Sequence, residues 1–65
     1  MPPKIRELVA RLKKAGFQDR GGKGSHRNFT YPEGAGKITI SGKLGEDAKK
    51  YQVELVEKAL QEVQK

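Results

Sequence analysis

Cysteine is absent from this 65-residue chain. Disulfides are therefore excluded, and so are zinc sites built on thiolates. Histidine is nearly absent, with His26 standing alone. A metal centre would have to draw its remaining ligands from carboxylates. These lie mostly in helical stretches beside lysines and read as solvated ion pairs, so no metal and no other cofactor is expected. No apolar run approaches the roughly 20 residues that span a bilayer. The opening MPPKIRELV alternates charge with apolar groups and lacks the apolar core of a signal peptide. A cytoplasmic protein with no membrane segment is the default expectation.

Acidic residues are also scarce. Eight carboxylates face fourteen lysines and arginines, a net charge of +6. In a small domain this balance is the electrostatic footprint of a nucleic-acid binder, although excess lysine also serves solubility. The excess concentrates before residue 46, in Lys13, Lys14, Arg20, Lys23, Arg27, Lys37 and Lys43, whereas the C-terminal stretch is nearly balanced. The length allows one domain over residues 1–65 and a core burying only about 60% of the unfolded surface.

What is present is well punctuated. Pro3 suits a first helical position. Ile5, Leu8, Val9, Leu12 and Ala15 follow at helical spacing until Gly16, which predicts a helix over residues 3–15. Residues 17–20 form a short candidate strand. GGKGS is a flexible turn, and residues 26–31 form a second strand with Phe29 and Tyr31 on its apolar side. Turn residues fill 32–36. Residues 37–41, KITIS, alternate cleanly as a third strand. After a second loose basic turn, Val53, Val56, Leu60 and Val63 predict a helix over residues 47–64.

The expected fold is α+β. The order αβββα, with tight connections, predicts a three-stranded antiparallel sheet carrying both helices on one face, the layout of double-stranded-RNA-binding-domain-like folds. Phe29, Tyr31 and Tyr51 are expected in the core, which leaves too few aromatics for a base-stacking platform.

Strand alternation then places His26. If Phe29 and Tyr31 point at the helices, Arg27 leans the same way near the sheet's edge. His26, Asn28 and Thr30 take the opposite, open face, as do Lys37, Thr39 and Ser41. An exposed imidazole is often inert. As a side-chain type, however, it titrates at about 6.5 and is the natural acid or base near neutrality. Lys23, Arg27 and the amides of residues 22–25, Gly24 and Ser25 among them, could hold a phosphate against it. His26 could then take a 2′-hydroxyl proton or protonate a departing 5′-oxygen while cations stabilise the phosphorane. Lys37 and Lys43 are further candidate RNA contacts. No Walker A loop is present, because the lysines at 23, 37 and 43 are followed by Gly24, Ile38 and Leu44. Ser25 reads as a turn residue or phosphate donor, not a nucleophile.

The amphipathic first helix, the Gly16-Phe17 junction, KGSHRNF at residues 23–29 and ITISGKLGEDAKKYQVELVEKAL at residues 38–60 together resemble the HicA-type toxins of toxin–antitoxin systems. The resemblance covers nearly the whole chain, and KGSHRNF is its most specific part. It implies an mRNA interferase that cleaves RNA without a metal, with His26 as the catalytic residue. It also implies a HicB-type antitoxin that covers His26, and a toxin that is monomeric on its own. Two other readings fit the residues: a non-catalytic basic RNA-binding module, and a protein-interaction domain for an acidic partner.

Overall fold

The computed structural model describes residues 2–34 and 36–63. Five elements follow one another: helix α1 (Ile5–Lys14), strands β1 (Gln18–Gly21), β2 (Arg27–Thr30) and β3 (Lys37–Ile40), and helix α2 (Lys50–Val63). The strands form one antiparallel sheet in the order β1-β2-β3. This is the expected αβββα, α+β arrangement. Ala35 of the expected turn at residues 32–36 and residue 64 of the expected last helix lie outside the described residues. Among the described residues no helix is long and apolar enough to cross a membrane.

The core is the apolar stripe of α1 set against the inner face of the sheet. Ile5, Leu8 and Leu12 are buried with Phe29, Ile38 and Ile40, and α2 closes the cluster with Val56 and Ala59. Across β2 and β3, Phe29 lies opposite Ile38 and Arg27 opposite Ile40, whereas Asn28–Thr39 and Thr30–Lys37 pair on the other face. One face of the sheet is covered and the other is open.

Helix α1 stops where Gly16 makes a Schellman closure. Phe17 N–H donates to Leu12 O at 3.0 Å and Gly16 N–H to Lys13 O at 3.1 Å, while Phe17 and Leu12 join the same core. Its start is capped from a distance. Ile5 N–H donates to Glu46 O (2.9 Å) and Arg6 N–H to Leu44 O (3.1 Å), so carbonyls of the loop before α2 satisfy donors that a helix leaves unpaired. The Glu7 carboxylate accepts from Lys4 N–H at 2.6 Å.

That loop explains the largest boundary difference. The expected second helix starts at residue 47, but α2 starts at Lys50. Asp47 forms a bridge with Lys4, and Ala48 N–H donates to Pro3 O at 2.8 Å, so both residues are extended against the N-terminal segment. Tyr51 also differs from expectation. It is 58% exposed, because the buried stripe of α2 runs through Gln52, Val56 and Ala59 and turns Tyr51 outward. Phe29 is fully buried, and Tyr31 packs half-buried against Phe17, with ring centroids 5.1 Å apart.

Candidate active site

The turn carrying His26 is fixed by local chemistry. His26 N–H donates to Lys23 O at 3.0 Å, closing residues 23–26 into a β-turn. Gly24, the first central residue, has φ of 58°, and among the described residues no non-glycine residue has positive φ. Ser25 therefore has negative φ, the sign pattern of a type II′ turn, which demands glycine at the first central position. Gly22 has a different reason to be glycine. A Cβ there would lie 2.5 Å from the His26 carbonyl oxygen, a distance that no side chain tolerates. The glycines of GGKGS thus allow the chain to fold tightly onto the backbone of His26.

The turn is also anchored to the sheet. Between Asp19 and Gly21 the pairing with β2 slips by one residue, leaving Arg20 as a bulge, and the Asp19 carboxylate accepts from Gly21 N–H at 2.8 Å. On the open face Asn28 joins all three strands. Its Nδ2 donates to Gly21 O at 2.9 Å, and its Oδ1 accepts from Thr39 Oγ1 at 2.8 Å. No aromatic ring lies on this face, since Phe17 and Phe29 are buried, Tyr31 packs on the core and Tyr51 projects from α2.

His26 is exposed, immediately before β2. Because Arg27 pairs with Ile40, the register carries His26 towards Ser41, where the loop to α2 departs. Lys23 and Gly24 are exposed within the turn, and Ser25 is half-buried. Lys43 is exposed in the neighbouring loop, its carbonyl accepting from Glu46 N–H at 3.0 Å. Lys37 stands apart. It pairs with Thr30 at the far end of β3, about 10 Å along the strand from Ile40 at the usual rise per residue. The structure brings residues 23–27 and the loop bearing Lys43 to one end of the sheet and leaves Lys37 at the other. Arg27 lies on the helix side, half-buried, with Nη1 donating to Ser25 O at 3.1 Å and Gly42 O at 2.9 Å.

One supporting residue escaped the sequence reading. Gln52, 3% exposed, is the only buried polar residue among those described. Its Oε1 accepts from Lys49 N–H and its Nε2 donates to Ser41 O, each at 2.8 Å. The signal was available: a glutamine three residues after a helix N-cap reaches back to the cap's amide, half of a capping box. Among the described residues no group of three or more histidine, aspartate or glutamate side chains is placed to hold a metal ion.

The family model of the HicA toxin of bacterial toxin–antitoxin systems matches residues 5–61. The chain belongs to the HicA toxin family. The match opens at the first residue of α1 and ends inside α2, so the HicA match spans the sheet, the His26 turn and the loop with Lys43. As a HicA-family member the chain has the role of a toxin in such a system. Curated proteins yield no match to it.

Proposed function

We propose that this HicA-family toxin is an endoribonuclease, an mRNA interferase that cuts its target without a metal ion and uses His26 as the catalytic residue. The observation that carries the reading is the exposed His26 on a turn shaped by Gly22 and Gly24, with Lys23 in the same turn and Lys43 in the adjoining loop. A phosphodiester lying across the two loops would have cations on its non-bridging oxygens and an imidazole beside its reacting oxygens. In the cleavage step the 2′-oxygen attacks phosphorus. The P–O5′ bond breaks, and the products are a 2′,3′-cyclic phosphate and a 5′-hydroxyl. His26 either accepts the 2′-hydroxyl proton or donates one to the leaving 5′-oxygen. Lys23 and Lys43 stabilise the charge that develops on the phosphorane.

The amides of Gly24 and Ser25 are further donors for the same phosphate, and Lys37 meets a neighbouring nucleotide along the open face. The partner is a HicB-type antitoxin that covers His26, using acidic or apolar groups against the basic end of the sheet.

The deciding experiment compares wild type with His26→Ala on a defined single-stranded RNA in EDTA. Wild type alone should shorten the RNA and leave 2′,3′-cyclic phosphate or 3′-phosphate ends. His26→Ala should retain its fold within about 0.5 kcal/mol, as exposed substitutions do. If both proteins retarded the RNA intact with the same salt dependence, a non-catalytic RNA-binding module would replace this reading.

A further inference from the structure

Arg27 looks in the sequence like one more cation for the phosphate. Its surroundings assign it another task. It enters β2 on the covered face opposite Ile40, which is fully buried, so its side chain leaves the sheet on the side away from Asn28 and Thr39. One nitrogen, Nη1, donates to the carbonyl of Ser25 at 3.1 Å and to that of Gly42 at 2.9 Å. A guanidinium Nη1 carries two hydrogens, so these two acceptors saturate it. The two carbonyls belong to different loops: Ser25 lies in the His26 turn, and Gly42 directly precedes Lys43. Among the described residues no backbone hydrogen bond joins those loops.

We infer that Arg27 is a positioning residue, which clamps the His26 turn to the loop bearing Lys43 and so sets the spacing between imidazole and ammonium. The catalytic consequence rests on the ribonuclease reading above; the clamp does not. Arginine suits the task because a planar guanidinium aims two N–H bonds of one nitrogen in fixed directions. The lysine ammonium is a rotating point charge and holds no such pair of directions. The charge of Arg27 still adds to the local field, but the hydrogen bonds of Nη1 go to the protein's own backbone, not to RNA.

Three variants test this: Arg27→Met, Arg27→Lys and Lys43→Met. The first readout is amide hydrogen exchange at His26 and Glu46, which close the two loops through Lys23 O and Lys43 O. Both Arg27 variants should speed exchange at these amides roughly tenfold or more and leave the middle of α1 unchanged, whereas Lys43→Met should alter neither. Exchange in Arg27→Lys equal to wild type would overturn the clamp, because charge alone would then suffice. Should Arg27→Met fail to fold, Arg27→Lys decides the matter by itself.

The second readout is the salt dependence of RNA binding, measured in a His26→Ala background so that the RNA stays whole. Lys43→Met should lower the slope of log K against log salt by about 0.7, the value of one single-strand phosphate contact, and the Arg27 variants should leave it unchanged. A drop of about 0.7 for Arg27→Met would make Arg27 a phosphate ligand and end the proposal. In cleavage, Arg27→Lys should lose at least about tenfold in kcat with KM within twofold, the signature of misplaced groups and not of lost substrate binding. If wild type cuts no RNA, the ribonuclease reading fails. The exchange comparison still accepts or rejects the clamp.

Discussion

Two segments rich in glycine and lysine flank the candidate site, residues 21–25 (GGKGS) and residues 41–45 (SGKLG), and as strings they are nearly interchangeable. Their folding could hardly differ more. The first is shaped within itself by a hydrogen bond between His26 and Lys23, a positive φ at Gly24 and the close approach of Gly22 to the His26 carbonyl, while Asn28 and Arg27 take only the carbonyls of Gly21 and Ser25 at its two ends. The second has one internal hydrogen bond, Glu46 N–H to Lys43 O, and is otherwise held from outside. Gln52 takes the carbonyl of Ser41, Arg27 that of Gly42, Arg6 that of Leu44 and Ile5 that of Glu46. Similar composition therefore yields a turn shaped chiefly by its own residues and a loop that the rest of the fold defines.

The contrast can be broken most severely at Gln52. Gln52→Leu leaves the Ser41 carbonyl and the Lys49 amide without their partner; both bonds are part-buried, and an unmatched group in such a place costs about 1–3 kcal/mol. Urea denaturation should register a loss of about 3 kcal/mol in all, and a loss under about 1 kcal/mol would mean that water replaces the side chain freely. The His26 turn should yield next. Gly22→Ala drives a methyl group into the His26 carbonyl and should cost about 1–3 kcal/mol, the usual penalty of overpacking. Cleavage should fall with it, because the displaced atoms belong to His26. Unchanged melting and activity in the Gly22→Ala variant would mean that the turn has another conformation available.

At the small end, Lys4→Met removes the Lys4–Asp47 ion pair, whose side chains are 44% and 56% exposed. Such a pair contributes about 0–1 kcal/mol, and half-molar salt should erase the difference between the two proteins' unfolding curves. A loss that persisted in high salt would point to packing by the lysine stem. The loop would then depend on contacts that its hydrogen bonds do not reveal.

The same contrast governs how much the sequence disclosed. The stripe Ile5, Leu8, Val9 and Leu12, the stop at Gly16 and the alternation of Ile38 and Ile40 depend on neighbours a few residues away, and the structure follows them. The exposure of His26 followed from the same short-range counting. The start of α2 did not, because Asp47 and Ala48 are drawn out of the helical period by Pro3 and Lys4. Tyr51 was misjudged for a related reason: a buried glutamine took the inward position that hydrophobicity would award to an aromatic ring. The acceptors of Arg27 were equally hidden. Gly42 lies 15 positions away, and nothing in HRNF announces that a carbonyl from another loop will meet the guanidinium.

The remote capping of α1 has a consequence for the order of assembly. Ile5 and Arg6 must wait for acceptors made about forty residues later in synthesis, so the first helix begins life with a frayed end. The carbonyls that complete that end belong to the loop beside His26, and they follow β3 in the chain. A partly made chain holds its histidine turn beside nothing. The arrangement proposed for cleavage exists only once the molecule is nearly whole.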